Sequence, residues 1–144
     1  QHKNNLERLA KLNNVHAVGY ITQKDAPAYV AYFDVFLIPY RNSLYNTSSF
    51  PLKFWEFMAT GKPIIVSGLP ELHKYQPLIN YAYNAGQFIE YIQSALKDPH
   101  VYEDKRIALA KQHTLEKRYQ KILELVSTLF LLNIFIFLSL EHVH

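Results

Sequence analysis

Cysteine is absent from the 144 residues, which excludes disulfide scaffolds, thiol nucleophiles and Cys-ligated metal sites together. Glycine is scarce, four in the whole chain, and no GxGxxG or GxxxxGK(S/T) loop occurs. The doubly wound nucleotide folds that cradle phosphate on such loops are therefore disfavoured. Strong charge of one sign is missing as well. The net charge is +3 with Lys and Arg scattered singly, so nothing argues for nucleic acid as a partner. The seven His residues form no HExxH, and His142 and His144 read as a loose end, so no metal is expected. No internal repeat and no charged-then-apolar leader is visible. The chain opens on Gln1, and it reads as a fragment or processed piece with a lean toward the cytoplasm.

What the chain does have is apolar mass. Hydrophobic residues make up 49% and aromatic residues 15%, which excludes disorder and suits one domain with a real core. Leu6, Leu9 and Leu12 recur at helical spacing. "VHAVGY" (15–20) reads as a short strand closed by Gly19, and "DAPAYVAYF" as a helix with Asp25 as N-cap and proline in the tolerated first turn. "DVFLIPY" is an apolar run of strand length ended by Pro39. A polar loop, "RNSLYNTSS", leads to a helix predicted from Pro51 to Gly61, with Pro63 just beyond. "IIVS" is the next buried strand, "PELHKY" a helical turn and "LINYAY" a weaker strand. "AGQFIEYIQSAL" is an amphipathic helix with Phe88, Ile92 and Leu96 four apart. Strands that alternate with helices and are apolar on both faces predict a parallel sheet covered by helices.

Residues 121–140, "KILELVSTLFLLNIFIFLSL", form an apolar tail nearly long enough for a bilayer, where a span takes about 20 residues. The expectation is a folded domain over 1–124 and a long apolar C-terminal helix over 125–144. Two readings stay open for that helix: burial against a partner domain, or a seat at the membrane surface.

Lys53 and Glu56 stand one turn apart in the otherwise apolar "PLKFWEFMATGKP". A Lys in the first turn opposes the helix dipole by roughly a few tenths of a kcal/mol, a conflict that a bound anion removes. Helix N-termini bind phosphate, and Thr47, Ser48 and Ser49 add hydroxyls at the same place. Ligands of open parallel sheets lie beyond the carboxyl ends of the strands, which makes Tyr40 to Ser49 a candidate ligand loop. Glu56 suits a diol such as ribose, because a carboxylate accepts two hydroxyl hydrogen bonds. The plain alternative is an exposed Lys53–Glu56 ion pair. The tyrosines default to core packing, although Tyr40, at a strand end, could stack on a base.

"PLKFWEFMATGKPIIVSGLPEL" resembles the signature of the nucleotide-sugar-binding half of GT-B glycosyltransferases, in the group whose motif reads P-x-K-x-x-E-aromatic-x-A-x-G-K-P-V-V. "NVHAVGYITQKDAPAYVAYFDVFLIPY" upstream and "LEKRYQKIL" downstream are similar to the same family's elements, so the likeness spans about residues 13–125. The resemblance implies a Rossmann-like C-terminal half that binds a nucleotide-diphosphate sugar and transfers its sugar to a carbohydrate or lipid-linked acceptor in cell-envelope polysaccharide biosynthesis. It implies that Glu56 binds ribose hydroxyls and that Lys53 lies near the diphosphate and stabilises it as it leaves. Thr47, Ser48 and Ser49 would donate to phosphate or sugar oxygens, and Gly19 and Tyr20 would fall where the family's loop approaches the base. It implies no metal and no cofactor beyond the donor, since GT-B enzymes stabilise the diphosphate with basic side chains and a helix N-terminus.

Many retaining members carry a second Glu eight positions before the first; here that position is Ser48. The family's N-terminal acceptor domain has no counterpart in these residues, so this chain alone is expected to be inactive. Placement is expected in the cytoplasm, at the inner face of the membrane. The rival reading is a non-catalytic module that docks on a protein or membrane through its apolar tail.

Overall fold

A computed structural model describes residues 7–141, with side chains through 129. The terminal His142 and His144 lie outside the described residues. The chain divides between Phe33 and Asp34 into two compact units.

The first unit is short of strand. Residues 7–9 are helical, and α1 spans Ala26–Ala31 with Pro27 in its first turn. Asp25 occupies the N-cap position but caps nothing. Its carboxylate accepts from the Thr22 hydroxyl at 2.6 Å, and its own N–H donates to the same oxygen at 3.3 Å. The strand expected over "VHAVGY" is not formed. The segment has no regular secondary structure and is almost wholly exposed.

The second unit contains a three-stranded parallel sheet in the order β1 (Phe36–Pro39), β2 (Ile64–Ser67), β3 (Asn80–Tyr81). Phe36 pairs with Ile64 and Pro39 with Ser67; Ile65 pairs with Asn80 and Val66 with Tyr81. The central strand is sealed on both faces: Ile64, Ile65 and Val66 are fully buried. The outer strand β1 departs from the sequence expectation of two apolar faces. Phe36 and Ile38 point into the core, whereas Leu37 and Pro39 are exposed, the alternation of a strand covered on one side.

Between β1 and β2 run a 3₁₀ turn (Leu44–Asn46) and α2 (Lys53–Ala59). Phe54 and Met58, four apart, form the buried stripe of α2. The helix ends where the sequence says it should: Gly61 donates to the Met58 carbonyl at 3.1 Å with φ +75°. The backbone there runs against α4 (Glu103–Ala110), so a Cβ on Gly61 would come within 2.6 Å of Glu103 Cγ.

After β2 come a second 3₁₀ turn (Pro70–Tyr75), β3 and α3 (Ala85–Lys97). Helix α3 begins on Asn84, whose side-chain oxygen accepts from Gln87 N–H at 3.0 Å; the Gln87 side chain returns the bond by accepting from Tyr83 N–H at 2.9 Å. Leu96, assigned to its apolar stripe by spacing, is exposed, and Ala95 takes the buried position.

Helix α4 drew no sequence expectation, and it carries the most heavily engaged side chain of the fold. Arg106, 3% exposed, donates from Nε to the Gly61 carbonyl (2.7 Å), from Nη1 to Leu78 (3.1 Å) and from Nη2 to Val101 (2.6 Å). One planar cation thus ties together the α2–β2 turn, the approach to β3 and the α3–α4 turn. Burial draws its pKa down from the usual value, partly offset by the charge of Glu103.

The last element is α5, Leu115–Glu141. It runs without a break through residue 125, the expected start of the tail. The long apolar helix anticipated there is not found as such. The first half of α5 carries Glu116, Lys117, Arg118, Lys121 and Glu124, and no helix among the described residues is long and apolar enough to cross a membrane.

Candidate functional site

Because the three strands are parallel, their carboxyl ends open on one edge of the sheet, and a cleft of about 410 Å³ lies there. Its floor depends on a close approach of β1 and β2. The Ser67 hydroxyl donates to the Tyr40 carbonyl at 3.1 Å, and Tyr40 N–H donates to the Ser67 carbonyl at 3.2 Å. Gly68 follows at φ +67°, where a Cβ would sit 2.3 Å from the Tyr40 carbonyl oxygen. Only glycine fits, both by conformation and by space.

The walls are Tyr40 on one side, and Tyr83, Phe88 and Ile89 around the start of α3 on the other. Asn42, Ser67 and Asn84 supply polar groups, and among the described residues no Lys, Arg, His, Asp or Glu lines the space. Tyr83 is 64% exposed, but its ring packs 5.3 Å from that of Tyr81 and 5.5 Å from that of His73. Tyr81 is buried, which raises its phenol pKa against the opposing effect of backbone hydrogen bonds at Leu69 and Gly68. His73 stands perpendicular to Tyr81 at 3.8 Å with its Nε2 enclosed and without a hydrogen-bond partner among the described residues.

Of the site residues singled out by sequence, Tyr40 lines this cleft, as does Asn42 of the candidate loop, whereas Gly19, Tyr20, Thr47, Ser48, Ser49, Lys53 and Glu56 do not. Lys53 and Glu56 are both exposed in the first turn of α2, and no ion pair or hydrogen bond joins them. The plain ion-pair reading is thus not what the structure adopts. Thr47, Ser48 and Ser49 sit in the loop that precedes α2, but they do not cap it. Leu52 holds the N-cap position without a side-chain bond. The Thr47 hydroxyl donates to the Leu44 carbonyl and the Ser49 hydroxyl to the Tyr45 carbonyl, so both protons close the 3₁₀ turn. The Asn46 side-chain amide donates to the Arg41 carbonyl at 2.7 Å, and its main-chain N–H donates to the Ser43 hydroxyl oxygen at 3.3 Å. The loop is therefore internally braced. Gly19 (φ +72°) and the exposed Tyr20 belong to the first unit.

Ser67, Gly68, Tyr83, Asn84, Phe88 and Ile89 were not identified from sequence as site residues, whereas Asn42 belongs to the candidate loop 40–49. One signal for them exists: a glycine directly after the buried run "IIVS" marks the carboxyl end of a central strand, where ligand clefts open.

The other face of α2 joins an aromatic cluster. Trp55 packs edge-on against Tyr75 at 5.4 Å and lies flat against His113 at 3.8 Å and 15°, with the Arg118 guanidinium 6.0 Å from its ring. Desolvation, then the charges of Arg118 and Lys121, hold the His113 pKa below its ordinary value. No group of three or more His, Asp or Glu that could hold a metal ion occurs among the described residues.

Comparison with known proteins places these features in a lineage. The family model described as glycosyl transferases group 1 matches residues 1–98. The chain is 37% identical over 92 residues to TuaH of Bacillus subtilis (strain 168), a protein whose name assigns it to teichuronic acid biosynthesis as a glycosyltransferase; the match covers 63% of this chain and 23% of that protein. The chain thus spans about a quarter of the length of this curated relative. No solved structure matches it.

Proposed function

The chain belongs to the group 1 glycosyl transferases, and on that premise we propose that it is the C-terminal, nucleotide-sugar-binding half of a GT-B glycosyltransferase. The observation that carries the reading is the placement of Lys53 and Glu56, both exposed, unpaired with each other and next to the loop that leaves the carboxyl end of β1. Two opposite charges one turn apart that do not pair are available for a ligand bearing both an anion and a diol. A nucleoside diphosphate has both: Lys53 faces the diphosphate and Glu56 takes the ribose hydroxyls.

In transfer, the bond between the sugar's anomeric carbon and the diphosphate oxygen breaks while an acceptor hydroxyl oxygen bonds to that carbon. The charge that builds on the departing diphosphate is offset by the Lys53 ammonium without a metal ion, and the acceptor proton passes to a base outside this chain. Ser48 donates to phosphate or sugar oxygens; Thr47 and Ser49, whose protons are engaged, accept from sugar hydroxyls. Tyr40 contacts the nucleoside. The acceptor is a carbohydrate or a lipid-linked carbohydrate of the cell envelope, a reading supported by the relative's name. The remaining domain of the enzyme binds that acceptor, and the cysteine-free chain fits the cytoplasmic face of the membrane.

A docking role has one observation in its favour: the apolar side chains of α5 from Leu115 to Leu129 are all exposed. One experiment separates the two. The intact chain and its Glu56→Ala variant are titrated calorimetrically with UDP, GDP, ADP and dTDP. Saturable binding of one diphosphate, lost in Glu56→Ala, is the expected result. A folded chain that binds none of them leaves the docking role as the better reading.

A further inference from the structure

We propose that α5 pairs with the α5 of a second copy of this chain as a parallel, two-stranded coiled coil. The proposal is independent of the donor reading, since no residue of that site lies on α5. The helix also lies beyond residues 1–98, so the family match says nothing about its partner. The first support is the spacing of its apolar residues. Leu115, Tyr119, Ile122, Val126 and Leu129 recur at alternate steps of four and three, the d and a positions of a heptad, and they are 57% to 77% exposed. Lys117, Gln120, Lys121, Glu124, Ser127 and Thr128 hold the b, c and f positions, away from that seam, while Glu116 and Arg118 flank its start. In sequence the same steps continue to Asn133, Ile136 and Leu140. A heptad pattern sustained over residues 115–140 argues for another helix as the partner.

The second support is the one polar residue in the apolar end of the pattern. Residues 129–138 are apolar apart from Asn133, which falls at an a position of the same register. In an apolar groove or in lipid, an amide at that position loses its water with nothing in return. In a parallel two-stranded coil the a positions of the two copies lie opposite each other. An amide both donates and accepts, so an Asn placed there is complementary to its own copy. A single Asn at an a position sets register and strand number, and Val126 at a with Leu129 at d favours two strands as well.

The third support is area. Every residue of α5 from 115 to 129 is exposed, yet helices in proteins draw most of their stability from packing an apolar face. A helix of 27 residues is about 40 Å long and about 11 Å across, so half of its lateral surface is roughly 700 Å², close to the about 800 Å² per partner of a standard stable interface. Two copies of α5 therefore cover each other without help from the rest of the domain.

The test uses the intact chain in sedimentation velocity. A mass twice the 16.9 kDa of the chain is expected. In Val126→Lys the mass falls to that of the monomer, because a charge in the seam raises the dissociation constant roughly a hundredfold or more. In Ser127→Lys, one position away on the outer face, it stays doubled. Both sites are exposed, so Trp55 fluorescence and the thermal melt verify that the domain itself is unchanged. Orientation is read by cross-linking, for which the cysteine-free chain gives a clean background. Tyr119→Cys and Leu129→Cys are each expected to form a disulfide between copies on mild oxidation, and a parallel, in-register pair allows this at both positions. A chain that stays monomeric up to its solubility limit overturns the proposal, as do assemblies larger than two. Equal loss of association in Val126→Lys and Ser127→Lys also overturns it, because the contact is then a nonspecific apolar one. Cross-linking at only one cysteine, or at neither, overturns the parallel register and the proposal with it. A monomer that instead sediments with phosphatidylglycerol vesicles, and no longer does so in Val126→Lys, assigns the face to a membrane and the proposal is wrong.

Discussion

Replacing Arg106 by methionine removes one buried cation and leaves three carbonyls, those of Gly61, Leu78 and Val101, without their donors. Hydrogen bonds to a charged group contribute about 1.5–3 kcal/mol each, and they do not add fully when one side chain makes all three. Water entering from the cavity of about 220 Å³ that Arg106 helps to line offsets part of the loss. The expected cost is therefore about 3–5 kcal/mol, the range found when one partner of a buried polar arrangement is deleted. A domain of this kind has roughly 5–15 kcal/mol in total, so the variant is folded but weakened. The single tryptophan, Trp55, lies in α2 and reports on the sheet-bearing unit by fluorescence during urea unfolding. With a slope near 1.5 kcal/mol/M, a loss of 3 kcal/mol moves the midpoint by about 2 M. Arg106→Lys keeps the charge but not the planar fork that reaches three carbonyls, and it should recover less than half of the loss. A methionine variant within about 1 kcal/mol of wild type, or a lysine variant equal to wild type, would refute the reasoning.

Gly68→Ala forces a Cβ against the Tyr40 carbonyl at a left-handed φ; a cost above about 2 kcal/mol is expected, together with weaker nucleotide-sugar binding as β1 and β2 part, and a melt paired with the titration above measures both. Phe54→Ala empties a fully buried site in the aromatic cluster and should cost about 3–5 kcal/mol in urea unfolding. His113 has a folded pKa below its unfolded value, so the stability tied to its neutral form is complete above the unfolded pKa, near 6.5, and is lost as pH falls below it through the folded pKa. Unfolding midpoints from pH 8 to 5 should show a fall that His113→Phe reduces; identical profiles would show that the stack on Trp55 is insensitive to charge. Lys53→Ala should weaken diphosphate binding with no change in melting temperature, because the side chain is exposed and makes no internal bond.

The sequence by itself determined the order of elements from "DVFLIPY" to α3. Each boundary there is set by local chemistry: proline after β1, glycine and proline after α2, an Asn-Ala-Gly-Gln start for α3. It also determined the core stripe of α2, since Phe54 and Met58 share a face at helical spacing whatever packs against them, and it marked Lys53 and Glu56 as charges out of place on such a helix. Only the tertiary structure decided whether a segment with strand-like composition became a strand. "VHAVGY" has the residues yet stays without regular structure, while β3 forms from two residues because β2 lies beside it. Only the tertiary structure produced the cleft, whose walls come from positions 39 to 89 and meet because three parallel strands end together. Arg106 shows the limit most clearly. In sequence it is one more scattered cation on a polar helix, and its role depends on three carbonyls that lie 5, 28 and 45 residues away along the chain. Local pattern specifies which groups a segment presents; long-range packing chooses which of them find partners, and on that choice the site depends.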